Sequence, residues 1–213
     1  MASTQSKKKI TAPKRRTQQE RKADTERELI AAGIRLFAQK GYLRTTSSEI
    51  AAEAGCTAGL VNHRFGSKAG LLKAIMTAFN KGFIEGQLGD AVRTESAEAS
   101  LRNYIEIYMN EVTVHETQMR SLYVLMGEAL GGAEEIRSDM VAFDAEVRER
   151  TADIIQRGIE SREFRSDVDP DQTAAMITGL LRGIVIQYLF NKQALDPSAM
   201  ISQLQETVLG SLK

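Results

Sequence analysis

Residues 45–72, TTSSEIAAEAGCTAGLVNHRFGSKAGLL, restrict the fold more than any other stretch of this chain. Thr46 stands three residues before Glu49. That is the spacing of a capping box, in which each side chain satisfies an orphan backbone N–H of the other's turn. Ile50, Ala51 and Ala54 supply a small apolar face for a short helix over 44–54. Gly55 then accepts the positive φ at which the chain reverses. Thr57 is placed to cap a second helix over 57–64, with Leu60 and Val61 inward and Phe65 closing its base. Thr57, Ala58, Gly59, Asn62, His63 and Arg64 remain outward, small at the helix start and polar or basic toward its end. Lys68 opens a third helix. Two short helices about a glycine turn set one helix in a DNA major groove and hold phosphates on either side. Small residues admit the backbone to base edges, and hydroxyl, imidazole and guanidinium groups hydrogen-bond bases or phosphates.

Three stretches carry a longer pattern: LIAAGIRLFAQKGYLRTT (29–46), IAAEAGCTAGLV (50–61) and HRFGSKAGLL (63–72). From roughly Thr25 to Ile75 the chain resembles the N-terminal domain of the tetracycline-repressor (TetR) family of bacterial transcriptional regulators. The resemblance implies that helix 44–54 supports the turn and helix 57–64 is the recognition helix. It further implies DNA contacts from Arg44, Thr46, Thr57, Ala58, Gly59, Asn62, His63, Arg64 and Lys68, with Thr46 and Lys68 on phosphates, the latter helped by a helix N-terminus. Three positions depart from the family pattern. Asn62 stands where an aromatic is usual, Ser47 where an aliphatic is, and Cys56 where valine is. Asn62 loses an apolar contact with the DNA backbone but still reaches a phosphate or adenine. Cys56 reads as a small buried hydrophobe, and a lone cysteine forms no internal disulfide, which fits a reducing cytoplasm.

The net charge of zero conceals a division. Residues 1–85 carry 16 Lys and Arg against 7 Asp and Glu, or +9; residues 86–213 carry 12 against 21, or −9. A basic first part and an acidic second part suit a molecule that meets a polyanion at one end only. Residues 1–22 concentrate the excess in Lys7, Lys8, Lys9, Lys14, Arg15, Arg16, Arg21 and Lys22, and read as a disordered basic arm able to reach a minor groove or add phosphate contacts. The expected division is therefore arm 1–22, helix-turn-helix domain 23–68 and a helical ligand-binding and dimerisation domain 69–213.

Beyond residue 68 the spacing predicts helices near 68–86, 95–114, 117–130, 133–161, 171–192 and 197–211, with Asp169 capping a helix that has Pro170 at its first position. No strand pattern or repeat is visible, so the fold class is all-α. No apolar run approaches the roughly 20 residues that span a bilayer, and the first residues lack an apolar secretion-signal core. A soluble, cytoplasmic protein is expected.

Helix 171–192 is apolar around most of its surface, which asks for burial on more than one side. Gly179 and Gly183 admit another helix closely. The resemblance implies a four-helix bundle of the last two helices with their copies, so that two recognition helices read a palindrome. The expected interface is Leu180, Gly183, Ile184, Gln187, Leu204 and Val208. The resemblance also implies an internal cavity for a small apolar or aromatic effector. Its candidates are Phe79, Phe83, Tyr104, Tyr108, Met109, Met119, Tyr123, Met126, Phe143 and Met176, with His115 and Glu111 as polar points. An apolar stripe is more often a plain core than a binding box, and Glu111–His115 is equally an ion pair or a solvated face. Ligand would shift the population toward a form whose recognition helices no longer match the groove spacing.

Enzymatic readings lack their residues. Neither His63 nor His115 follows a glutamate by three, as a di-metal bundle needs, and no phosphate-cradling glycine loop, HExxH or paired CxxC occurs. No cofactor and no metal is expected. A purely protein-binding helical adaptor leaves the basic half unexplained; salt-dependent duplex binding separates the two readings.

Overall fold

The computed structural model describes residues 17–89 and 96–213. The basic residues between Lys7 and Arg16 lie outside the described residues. Among those described there is no strand, as the all-α reading required.

The helices are α1 Gln18–Lys40, α2 Ser47–Glu53, α3 Leu60–Phe65, α4 Lys68–Phe79, α5 Ala97–Val114, α6 Glu116–Leu130, α7 Glu134–Glu160, α8 Pro170–Phe190 and α9 Ile201–Gly210. Helix α4 runs on as a π-helical stretch, Asn80–Leu88, and a single 3₁₀ turn, Ser198–Met200, leads into α9. The π-helical widening is the one departure from the uniform helix expected over 68–86.

Local chemistry sets most boundaries. Thr17 and Glu20 form a complete capping box: the Thr17 hydroxyl accepts from the Glu20 N–H at 3.1 Å, and the Glu20 carboxylate accepts from the Thr17 N–H at 2.7 Å. Helix α1 therefore begins at Gln18, and the last residues of the expected disordered arm, 18–22, are helical. That cap stands about three turns before the apolar pattern that begins at Leu29, outside the reach of its periodicity. Asp169 caps α8 with Pro170 behind it, as its sequence requires. The N-terminus of α5 is capped from a distance as well as locally: Glu163, beyond the end of α7, accepts the N–H groups of Ala97 and Glu98, both at 3.0 Å, and the Ser96 hydroxyl.

Helices α1 to α4 form a small unit in which α1 rests on α2, α4 and α6. The larger unit packs α7 against α8, α5, α6 and α4, with α9 closing on α5. One continuous apolar core joins them, from Leu29, Phe37, Tyr42 and Ile50 to Leu71, Ile75, Leu101, Met109, Ile155, Leu181 and Leu204. Burying that surface holds the helices at defined spacings. Helix α8 meets the length and composition of a membrane span, but its inner side packs on α7.

Candidate nucleic-acid interface and effector cavity

The Thr46–Glu49 box is present in full and starts α2 at Ser47. Glu49 also meets the Lys40 ammonium at 2.5 Å, and that contact with the Thr46 hydrogen bonds holds its carboxyl down at about 2. Gly55 takes its positive φ of 67°. Helix α3 starts at Leu60, three residues later than expected. Thr57, Ala58 and Gly59 form a turn instead, in which the Leu60 N–H donates to the Thr57 carbonyl at 3.0 Å, and no side chain caps the helix. Glycine's cost inside a helix favours the delayed start.

Exposure on this unit follows the predicted faces. Val61 is buried, with Leu60 and Phe65 half-buried beneath it; Thr57, Ala58, Gly59, Asn62 and His63 are exposed and Arg64 is half-buried beside them. Arg44 and Thr46 are exposed just before α2, where Arg44 Nε donates to the Lys40 carbonyl at 2.8 Å. Arg44 and Thr46 precede α2, which packs against α3. Cys56 is half-buried between the helices.

Lys68 has a role that sequence reasoning missed. Its Nζ donates to the carbonyls of Tyr42 at 2.8 Å and Thr45 at 3.0 Å, and lies 3.9 Å from the Tyr42 ring centroid. Burial pushes its pKa down. Two of its three N–H bonds thus anchor the α1–α2 turn, so the expected phosphate contact has only the third. The same turn is held from the other side by Glu128 of α6, whose carboxylate accepts the N–H of Tyr42 at 2.6 Å and of Leu43 at 3.3 Å. Gly41 makes this approach possible: at φ 81° it sits where a Cβ would lie 2.2 Å from a Glu128 oxygen.

Glu128 belongs to a helix that also lines cavities. One, of about 440 Å³, lies between α6 (Arg120, Tyr123, Val124, Met126, Gly127, Leu130) and α8 (Arg182, Ile186, Leu189, Phe190). A neighbour of about 410 Å³ shares Met126, Leu130 and Arg182 and is completed by Ala129 and by Arg137, Met140, Val141, Asp144 and Arg148 of α7. Of the expected ligand residues, Tyr123 and Met126 are brought together here. Phe83, Tyr104, Tyr108, Met109 and Met119 are buried core, with Phe83 and Tyr104 each ring-packed on Tyr108 at 6.0 Å; Phe79 is half-buried. Phe143 lines a separate hollow with Asn80 and Glu146. Burial raises the Tyr108 and Tyr123 hydroxyls, which bond each other at 2.9 Å behind the first cavity.

Two ligand expectations are corrected. Met176 is 74% exposed on the outer side of α8. His115 sits at the break between α5 and α6 with Nδ1 2.9 Å from the Glu111 carboxylate, and lines neither cavity. Sequence reasoning missed Arg182 and Asp144, which stand 38 residues apart and meet only in the fold.

The interface expectation is corrected in part. Helix α8 turns Met176, Leu180, Ile186 and Phe190 outward, with Phe190 87% exposed, and Gly179, Gly183 and Gln187 lie on or beside the same stripe. Ile184 falls on the opposite arc with Ile177, Leu181 and Val185, and Leu204 and Val208 face the core from α9. These three are buried within the chain itself. A helix apolar all round does not reveal which arc its own chain covers.

Two family models match in succession: bacterial regulatory proteins of the tetR family over residues 29–75, and the C-terminal part of BetI-type transcriptional repressors over residues 97–213. The chain belongs to the TetR family. Among its relatives, the HTH-type transcriptional regulator AcrR of Shigella flexneri is 25% identical over 185 residues, covering 85% of this chain and 86% of that protein. The HTH-type transcriptional regulator BetI of Cronobacter sakazakii is 32% identical over 102 residues, covering 45% and 48%. In fold, this TetR-family chain matches the fatty acid degradation regulator FadR of Bacillus halodurans with a TM-score of 0.76 at 17% identity, over 96% of this chain and 99% of that one. It matches FadR of Bacillus subtilis, solved with stearoyl-CoA, with a TM-score of 0.76 at 21% identity, over 88% and 99%.

Proposed function

We propose that this TetR-family regulator is a dimeric repressor that binds a palindromic operator through α3 and leaves it when a small apolar effector enters the cavities beside α6. The observation that carries the reading is the double role of α6. Met126, Gly127 and Leu130 line the cavities while Glu128, between them, grips the turn from which α2 and α3 hang. A ligand that favours one position of α6 thereby biases the tilt of the recognition helix.

In this reading Thr57, Ala58, Gly59, Asn62, His63 and Arg64 meet base edges and phosphates, Arg44 and Thr46 meet the backbone, and Lys68 adds its third N–H to a phosphate. The outward stripe of α8 supports pairing of two copies: Met176 and Leu180 are apolar and exposed, and Ile186 and Phe190 carry the stripe to the edge of the first cavity, which they also line. The reader extends to about Lys68 and the effector and pairing unit occupies 69–213. Its work is cytoplasmic, with double-stranded DNA and a second copy as partners and no catalytic step.

The test is selection of a random duplex library with the full-length protein, followed by affinity against salt. Enrichment of a palindrome bound by two protomers is expected. Absence of duplex binding at any salt overturns the reading.

A further inference from the structure

The two cavities beside α6 meet at Arg182, and their charge is one-sided. The lining holds four arginines, Arg120, Arg137, Arg148 and Arg182, against a single carboxylate, Asp144. Asp144 is already divided, meeting Arg182 with one oxygen and Arg148 with the other at 2.9 Å. Carboxylates that touch these cations from outside the lining do not restore balance. Glu116 is shared by Arg120 at 3.3 Å and Lys192 at 2.6 Å, and Glu134 stands 3.6 Å from Arg137. The five cations thus face three carboxylates. This excess sits in the part of the chain whose net charge is −9, so it does not follow from the composition of its surroundings.

The rest of the first cavity is apolar: Val124, Leu130, Ile186, Leu189 and Phe190 form its walls. Arg182 is 19% exposed at its inner end. A guanidinium so far out of water keeps a strong demand for an anionic partner, and its planar fork receives a carboxylate two-pronged. Asp144 meets part of that demand and is shared with Arg148, so a neutral hydrocarbon would fill the walls and leave the excess of positive charge unmet. An amine would meet repulsion.

We propose that the effector is an apolar organic anion, its hydrocarbon or aryl body between α6 and α8 and its carboxylate head against Arg182, with Arg148 and Arg137 behind. This rests on reading the cavities as the effector site. The head group then competes with Asp144 for the same guanidinium, so Asp144 limits affinity from inside the site.

The experiment is calorimetric titration of the full-length protein, without DNA, with decanoate, decanol and decylamine and with naphthoate and naphthol. At least one carboxylate is expected to bind about tenfold or more tighter than its matched alcohol, as a charge-assisted hydrogen bond to a shielded arginine implies, and the amine not at all. Asp144→Asn should tighten carboxylate binding. The paired exposed changes Arg137→Gln and Arg148→Gln should weaken it while leaving the alcohol unchanged; they spare the buried Arg182, whose loss could unfold the site. Equal binding of alcohol and carboxylate, binding by no carboxylate, or an Asp144→Asn variant that binds the carboxylate no tighter overturns the inference. Operator release is measured separately with the same compounds. A carboxylate that binds without loosening the operator upholds this site and overturns the effector reading; an alcohol that matches the carboxylate and releases the operator does the reverse.

Discussion

The reading end and the effector end of this molecule are built by different means. In the reader, side chains three residues apart set the helix starts: Thr17 with Glu20, Thr46 with Glu49, and Ser67 with the Gly70 N–H. The larger unit has such caps too, Ser96 on α5 and Asp169 on α8, but it adds polar contacts that bridge long stretches: Arg182 with Asp144, Tyr108 with Tyr123, and Glu163 with the start of α5. Their outer surfaces differ too. Helix α3 shows solvent Asn62 and His63, whereas α8 shows it Leu180 and Phe190. Short-range caps set the helix starts of the reader, while distant contacts bridge helices around hollows that a ligand can enter. The two share the packing of α1 on α6 and of α4 on α7, and they are pinned at one turn, clasped by Lys68 from the reader and Glu128 from the effector side.

The largest expected effect breaks the contrast of surfaces. Leu180→Glu places a charge in the middle of the outward stripe and should weaken pairing by about 3 kcal/mol or more. Sedimentation of the variant should show monomer with intact helicity; an undisturbed dimer would move the interface off α8. Next is the packing of the reader. A Cβ on Gly70 would lie 1.9 Å from the Phe65 carbonyl oxygen, so Gly70→Ala must push α4 from α3. A loss of about 2–3 kcal/mol is expected, and calorimetry that finds the melting temperature unmoved would show that the spacing yields freely.

The joint between the units gives a smaller change. Glu128→Gln keeps the size of the side chain but removes its charge and one of its two acceptors, costing about 1–2 kcal/mol. Operator affinity and effector response should fall out of step in fluorescence titrations of labelled duplex. A variant with the normal response would transfer the coupling elsewhere. The smallest effect concerns Glu163, whose carboxyl the α5 N–H groups and Ser96 hold at about 2, below its ordinary 4.5. A depressed folded-state value means stability present above pH 4.5 and lost as pH falls toward 2. Solvent screening keeps this to about 1 kcal/mol. Glu163→Gln should flatten that acid limb of a denaturation series, and an unaltered limb would assign acid sensitivity to other groups.

Much of the reader was legible because its determinants are neighbours in the chain. The Thr46–Glu49 box, the turn at Gly55 and the outward faces of Asn62 and His63 all follow from spacing. The late start of α3 was not, since Thr57 has the chemistry of a cap without the geometry. At the effector end the helices were legible and their neighbours were not. Tyr104 and Met109 have the composition of a ligand wall but line neither cavity beside α6 and lie buried in the core, and Ile184, Leu204 and Val208 have the composition of an interface but face inward.

By itself, then, the sequence determined the helices, most of their caps and breaks, the division of charge and the family to which the reader belongs, because each depends on residue types a few positions apart. Only the tertiary structure decided that Lys68 and Glu128 clasp one turn, that Arg182 meets Asp144 at the junction of two cavities, and which arc of α8 stays uncovered. Those depend on how packed helices bring distant residues within hydrogen-bond reach, and periodicity along a single helix carries no record of its neighbours.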